Sequence, residues 1–105
     1  MQTIAASAQF ALAETASGEA LQEKFPELAG KVIPILRDSP VKFRKPATKA
    51  ITASPSVSDE AISRFREQFE KKGRSSISVN VELRDAEGVV TCTGVFNWFV
   101  QRIEQ

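Results

Sequence analysis

Hydrophobic and polar residues alternate most regularly in the last third of the chain. Positions 76–83 alternate with a period of two, a polar turn follows at 84–88, and positions 89–100 return with the same period. This period is typical of strands with one buried face. The pattern therefore predicts a long antiparallel hairpin.

The first part of the chain follows a helical pattern from Met1 to about Glu23. It is rich in alanine, the best helix former, and no proline occurs before Pro26. The apolar positions spread around every side of this helix instead of forming one stripe. Because a helix that is apolar all round is typically buried, we expect a buried first helix.

Two extended stretches and a second helix lie between these regions. Residues 32–44 contain two apolar runs separated by a turn-like segment, and residues 49–53 form the next short strand. A second helix is predicted from Asp59 to Lys72, with Ser58 as its N-cap and Gly73 as its end. Its apolar residues recur at spacings of three and four, which indicates one buried stripe.

The order helix, strand, strand, helix, strand, strand predicts an α+β domain, in which the helices pack against an antiparallel sheet. We expect one core that includes the following residues: Ala8, Phe10, Leu12, Phe43, Ile51, Val79, Val81, Val95 and Trp98. Trp98 and Phe99 point to opposite faces of a strand, so one should pack on the first helix.

Composition limits the possible classes of protein. A chain of 105 residues with 42% hydrophobic content predicts one domain over residues 1–105. The net charge of +1 does not indicate a nucleic-acid partner. The single cysteine, Cys92, excludes an internal disulfide, fits a reducing compartment and is expected to be a small core residue. Neither a signal peptide nor a membrane-spanning run is recognisable, so we expect a cytoplasmic protein without a membrane partner.

The absence of histidine restricts the chemistry that this chain can supply. It removes Ser-His-Asp and Cys-His arrangements and most zinc sites, so acid–base chemistry must come from carboxylates. Glu14 is the one carboxylate among the small and apolar residues 10–18. Burial would raise the pKa of such a carboxyl unless donors or cations compensate, and poised carboxylates are common as general bases and nucleophiles. Alternatively, one face of the helix is exposed to water and Glu14 points into it.

Three segments resemble hotdog-fold acyl-CoA thioesterases. Residues 10–18 are similar to their central helix, which carries a catalytic Asp or Glu, and residues 42–47 resemble a strand end with an aromatic residue, basic residues and Pro-Ala. The segment from Gly73 to Val100 is similar to their final hairpin. The chain most resembles an uncharacterised branch with an extra helix between strands, where Asp59 to Lys72 falls.

The resemblance implies a hotdog fold, in which a curved antiparallel sheet wraps the central helix and one extra helix lies on the surface. It implies hydrolysis of an acyl-CoA thioester without a cofactor or a metal, with Glu14 as general base or nucleophile. A hydroxyl of Thr15 or Ser17 would orient the water, although both residues also suit tight helix packing. Since hotdog sites form between subunits, a homodimer or a dimer of dimers is implied.

Coenzyme A carries phosphates, so a basic cluster is expected near the site. Lys72, Arg74 and Ser75, next to Lys71, flank the strand start where related proteins often meet the nucleotide. Arginine offers bidentate phosphate contacts and lysine a point charge. Lysines at a helix end also favour the helix dipole, with or without a ligand. A second candidate cluster consists of Lys42, Arg44 and Lys45.

One departure from the family concerns the region before the first helix, where relatives have a strand and a loop with Asn-His or His-Gly. The chain would be either a late-started version or a natural short form with four strands. Helix N–H groups around Gln2 to Ala5 could still face an oxyanion. The alternative function is a non-catalytic hotdog module that binds an acyl group or a protein partner. Hydratases and dehydratases on this fold generally require histidine and are disfavoured.

Overall fold

A computed structural model describes residues 4–48 and 50–103. These residues form two α-helices, one short 3-10 helix and five β-strands. The elements in chain order are α1 (Ala6–Lys24), the 3-10 helix (Pro26–Leu28), β1 (Val32–Asp38), β2 (Val41–Phe43), β3 (Ile51–Ser56), α2 (Asp59–Lys72), β4 (Arg74–Asp85) and β5 (Val90–Arg102).

The strands form one antiparallel sheet in the order β1-β5-β4-β3, and β2 also pairs with β5. The longest pairing, between β4 and β5, confirms the predicted hairpin. The five strands occupy four positions in the sheet, because β1 and β2 lie one after the other along the same edge of β5. The break between them contains Pro40, whose carbonyl accepts from the Val95 N–H at 3.0 Å. Proline has no N–H to continue a strand ladder.

Helix α1 packs on the inner face of the sheet, against β3, β4 and β5. Its buried side is made of small residues such as Ala13, Ser17 and Ala20. The opposite side, which includes Ala11 and Thr15, is exposed. The prediction of a helix buried all round is therefore wrong for a single chain, because one sheet covers only one side of the helix.

The start of α1 also differs from the prediction. The helix begins at Ala6, with Ala5 as its N-cap residue. Ile4 forms an isolated antiparallel bridge with Ala47 instead of a helical turn. The predicted helical residues 1–3 lie outside the described residues, as does Lys49 at the start of the strand predicted over residues 49–53.

Helix α2 has the predicted bounds and the predicted caps. The Ser58 hydroxyl accepts from the Ala61 N–H at 3.1 Å, and Gly73 ends the helix in the left-handed region at φ 72°. Phe65 and Phe69 are its buried side chains. Local capping and a clear apolar stripe explain why this element was readable from the sequence.

Arg66 ties α2 to the end of α1. Its guanidinium donates to the Lys24 carbonyl at 3.1 Å, pairs with Glu27 and lies 4.8 Å from the centre of the Phe25 ring. The Phe25 ring is in turn 4.7 Å from the Phe65 ring. The second helix therefore continues the helical layer beyond the point where α1 ends.

The predicted core is correct at its centre and wrong at three positions, Ala8, Phe43 and Val95, which lie outside the core cluster. Val79 and Val81 are buried, and Phe10, Leu12, Ile51 and Trp98 pack against the core as partly buried residues. Ala8 and Phe43 were expected in the core, but both are exposed, and Val95 is only partly buried. Ala8 lies on the exposed side of α1, and Phe43 ends the three-residue edge strand β2. Cys92 is a buried core residue, as expected.

No helix in residues 4–48 and 50–103 combines the length and the apolar character that a membrane crossing requires.

The two helices share a core that depends on Phe65, so we expect Phe65→Ala to lower the free energy of unfolding by about 3–5 kcal/mol. The phenylalanine is 2% exposed, and its removal leaves a cavity between α1, α2 and the sheet. The matched control is Phe43→Ala, because Phe43 is 47% exposed. Urea unfolding should give a change below about 1 kcal/mol for this control. Equal losses for both variants would contradict the described core.

Candidate functional site

Glu14 lies on the side of α1 that faces β5. Residues four apart stack on one helix face, so Phe10, Glu14 and Gly18 form one row. The Phe10 and Phe96 ring centres are 5.7 Å apart, and a Cβ atom at Gly18 would lie 3.8 Å from Trp98 Cζ2. Glu14 is partly buried between these two contacts. The carboxylate thus sits at the border between the packed and the exposed sides of the helix.

The Ser17 hydroxyl fixes the helical turn that carries Glu14. Ser17 is fully buried, and its hydroxyl donates to the Glu14 carbonyl oxygen at 2.7 Å. The Ser17 hydroxyl oxygen in turn accepts from the Trp98 indole N–H at 3.0 Å. This chain of hydrogen bonds joins α1 to β5 beside Glu14. The hydroxyl is therefore already engaged within the protein.

Thr15 lies on a different side of the helix. It is exposed and lines a separate groove between α1 and β3, together with Glu19 and Ile51. Successive helix residues are turned by about 100°, since an α-helix has 3.6 residues per turn. The structure thus brings Ser17 to the backbone of Glu14 and places Thr15 away from both.

An apolar groove of about 270 Å³ begins one helical turn beyond Glu14. It runs between α1, the 3-10 helix and the inner face of β1 and β5. Its lining consists mostly of apolar side chains: Leu21, Phe25, Leu28, Val32, Pro34, Phe65, Trp98 and Val100, with Gly18 and Gln22 on the helix. An apolar or weakly polar chain is the kind of ligand that such a lining favours.

A second, basic groove of about 1090 Å³ joins the far end of the apolar groove. It is lined by five cationic residues and two carboxylates: Lys31, Lys71, Lys72, Arg74, Arg102, Glu27 and Glu70. Both grooves share Leu28, Gly30 and Val32. A continuous surface therefore connects the vicinity of Glu14 with a cluster of positive charge.

The basic groove contains two of the three predicted coenzyme A contacts. Within the described part of the chain, Lys72 and Arg74 form no ion pair. Ser75 differs, because it is 9% exposed and belongs to the buried face of β4. The two exposed cations are thus available to an anion, whereas the Ser75 side chain points to the opposite, buried face of the sheet.

Lys31 and Arg102 were missed in the sequence. They meet because β1 and β5 pair with Val32 opposite Arg102. The guanidinium of Arg102 lies 5.0 Å from the centre of the Phe69 ring, which holds it at the wall of the groove. No local sequence motif indicates either residue as part of the groove, because only strand pairing brings the two together.

Glu27 remains charged at the edge of this groove. Its own backbone N–H and the guanidinium of Arg66 lower the pKa of the Glu27 carboxyl. The negative charge offsets part of the local positive potential. The cations of the basic groove that lie farthest from the Glu27–Arg66 pair should therefore attract an anion most strongly.

The two ends of this surface are well separated. Ten residues of α1 from Glu14 to Lys24 span about 15 Å, and four strand residues from Trp98 to Arg102 span about 13 Å. A ligand that touches both Glu14 and the basic groove must therefore be elongated.

The second candidate cluster lies elsewhere. Lys42, Arg44 and Lys45 are exposed on and just after β2, and Arg44 Nε donates to the Thr93 hydroxyl at 3.2 Å. Thr93 is near the opposite end of β5 from Arg102. The fold therefore separates the two basic clusters that the sequence left as alternatives.

The oxyanion donors predicted around Gln2 to Ala5 fall only partly within the described residues. Gln2 and Thr3 lie outside the described residues, and Ala5 is the N-cap, so the first free amides of α1 start at Ala6. Gln9 Nε2 donates to the Ile4 carbonyl at 3.3 Å beneath this end of the helix.

Other reactive groups are remote from this chemistry. Burial raises the pKa of the Cys92 thiol, which keeps it protonated and unreactive at neutral pH. In the described ranges, no group of three or more His, Cys, Asp or Glu side chains is placed to hold a metal ion.

Residues 1–100 match a family described as a domain of unknown function (DUF4442), and the chain belongs to this family. No curated protein matches the chain.

Solved structures share this architecture. A probable thioesterase of unknown function from Pseudomonas aeruginosa is 24% identical, with a TM-score of 0.78 over 96% of this chain and 66% of that one. A Bacillus halodurans protein solved with CoA is 17% identical, with a TM-score of 0.70 over 93% and 56%. A thioesterase from Haemophilus influenzae is 17% identical, with a TM-score of 0.72 over 100% and 66%. The chain thus spans about two thirds or less of the length of these proteins. The likeness confirms the α+β hotdog fold that the resemblance implied.

Because Ser17 links Glu14 to Trp98, we expect Ser17→Ala to lower the free energy of unfolding by about 1–2 kcal/mol, as the indole N–H loses its partner. Trp98 fluorescence should change with it, since this tryptophan is the only one in the chain. Thr15→Ala is the control on the exposed side and should leave both measurements near wild type. An unchanged emission spectrum for Ser17→Ala would contradict the described hydrogen bond.

Proposed function

We propose that this protein hydrolyses acyl-CoA thioesters with Glu14 as the reacting carboxylate. The observation that carries the proposal is that the apolar groove, which begins one helical turn from Glu14, shares its far end with the basic groove. A carboxylate, an apolar channel and a cationic cluster match the three parts of an acyl-CoA: thioester, connecting arm and phosphates. The name of the Pseudomonas aeruginosa neighbour, a probable thioesterase, agrees with this assignment.

Coenzyme A would bind with its phosphates in the basic groove. Arg74 can donate two parallel hydrogen bonds to a phosphate, and Lys72 adds a point charge. Ser75 would support this strand start from below. The pantetheine arm would then follow the apolar groove and bring the thioester to Glu14. A related fold from Bacillus halodurans was solved with CoA, which supports a ligand of this class.

Glu14 could act in two ways. As a general base it takes a proton from water, whose oxygen attacks the thioester carbonyl; the C–S bond then breaks and the thiolate leaves with a proton. As a nucleophile it forms a mixed anhydride that water then hydrolyses. Ser17 would position the helical turn in either case. Thr15 lies on the exposed side of α1, so it would orient water only if a second subunit completed the site from that side.

We further propose a homodimer, with the reacting site near the subunit boundary. Strand β3 is an edge of the sheet, and an unpaired edge favours pairing with a second strand. The exposed side of α1, with Thr15, borders this edge. Two copies related by a twofold axis would cover both features at once.

The alternative function is a module that binds an acyl-CoA or a protein partner without hydrolysis. The observation that favours it is the engagement of Ser17, whose hydroxyl is already bonded to Glu14 and Trp98. Thr15 lies on another side of the helix, so neither hydroxyl is shown to orient water at Glu14. Binding without turnover by the wild-type protein would support this alternative.

If Glu14 is the base, Glu14→Gln should reduce hydrolysis of the best acyl-CoA by about 10²- to 10⁴-fold, the range for losing a general base. The amide keeps the shape of the side chain, so folding should survive. A panel of short, medium and aromatic acyl-CoAs provides the substrate, and thiol release provides the measurement.

The control for this variant is Glu19→Gln, because Glu19 is exposed on another side of the same helix. It should keep wild-type turnover. Wild-type turnover by Glu14→Gln would remove Glu14 from the mechanism, whereas loss in both variants would point to a general effect on α1.

If the phosphates lie in the basic groove, Arg74→Gln should weaken CoA binding by about 10-fold, the effect of one charge-assisted hydrogen bond. Arg44→Gln tests the second basic cluster with the same chemical change and should leave the affinity unchanged. Isothermal titration with CoA measures both. The reverse result would move the phosphate site to the Lys42–Lys45 region.

A further inference from the structure

The apolar groove begins at Gly18, where nothing in the fold requires glycine. Among the described glycines, a positive φ occurs only at Gly30, Gly73 and Gly88. Beyond the chain neighbours and backbone of its own helix, a Cβ atom at Gly18 would meet one atom within 4 Å, Trp98 Cζ2 at 3.8 Å. That distance is an ordinary van der Waals contact. Glycine is also the poorest helix former after proline, so alanine would suit α1 better.

Trp98 forms the opposite side of this entrance. The hydrogen bond from its indole N–H to Ser17, at 3.0 Å, holds the ring in place. Both Gly18 and Trp98 line the apolar groove. The gap between helix and indole therefore exists because residue 18 has no side chain. This gap is about 6 Å along the helix from Glu14.

We propose that Gly18 is a specificity-determining residue that keeps open the passage past Trp98 to Glu14. The proposal rests on the proposed function, in which the passage holds the unbranched arm that links the phosphates of coenzyme A to the thioester. A larger side chain at position 18 would project into the passage. It would leave the basic groove and the Glu14 carboxylate in place.

The test is a size series at one position: Gly18→Ala, Gly18→Val and Gly18→Leu. The control is Ala86→Leu, because Ala86 is exposed in the turn between β4 and β5 and lines neither groove. Coenzyme A is the probe, and its binding is measured by isothermal titration and by the fluorescence of Trp98, the single tryptophan. Circular dichroism and a cooperative melt establish which variants are folded.

We expect the affinity for coenzyme A to fall as the side chain at position 18 grows. For Gly18→Leu the dissociation constant should rise by about 10-fold or more, because the leucine side chain would occupy space that the ligand needs. Ala86→Leu should bind as wild type does. Gly18→Ala should bind slightly less tightly while its thermal midpoint rises by about 2–8 °C, from the gain in helix propensity. A residue needed only for folding would give the opposite change in stability.

Affinity that does not decrease with side-chain size among the folded variants would overturn the role of Gly18. Hydrolysis by wild type and by Gly18→Leu at equal rates would do the same, while the proposed thioesterase function would stand. Failure of the wild-type protein both to bind coenzyme A and to hydrolyse acyl-CoA would overturn the proposed function, and the role of Gly18 with it.

Discussion

The close approach of α1 to the β4–β5 hairpin is the contact on which the rest of the structure depends. Small residues on the buried side of the helix, such as Ala13 and Ala20, let it lie directly on the sheet. Ser17 then reaches the indole of Trp98 and adds a directional bond to a contact that is otherwise apolar. This contact sets the rotation of α1 about its axis, and that rotation decides which helix residues face β5. The place of Glu14 follows from the packing two to four residues away, rather than from any bond made by its own carboxylate.

The grooves are what remains where the helical layer does not cover the sheet. Helix α1 lies over β3 and β4 and reaches β5, and α2 continues the layer after the chain turns at the 3-10 helix. Arg66 holds the two helices together at this junction through Phe25, Glu27 and the Lys24 carbonyl. Along β1 the inner face stays open, so Val32 and Pro34 line a groove instead of a core. Where the same strands end, cations from β4, β5 and α2 converge with Lys31, the residue just before β1, because antiparallel pairing aligns those ends.

Individual elements show which parts of the fold can be predicted from local sequence patterns. Helix α2 was predicted to the residue because its cap, stripe and terminal glycine are all encoded within one segment. The final hairpin was predicted because its alternation and its turn are local as well. The exposure of Ala8 and Phe43 was not predicted, because an apolar residue type does not show how far the opposing layer of the fold extends. Arg102 and Lys31 were not predicted as part of the basic cluster for a related reason. They are 71 positions apart and come together only through strand pairing.

The sequence by itself determined the class of fold, the identity of Glu14 as the candidate carboxylate, and the basic residues around Arg74. These conclusions depend on residue type, on the periodicity of apolar residues and on the order of neighbouring segments, all of which are visible in the linear sequence. Only the tertiary structure decided that Ser17 is bonded to Trp98, that Thr15 lies on another side, and that the groove beginning one helical turn from Glu14 adjoins one basic cluster and not the other. Such relations depend on the rotation of a helix and the register of strands, and both are set by packing across the whole domain.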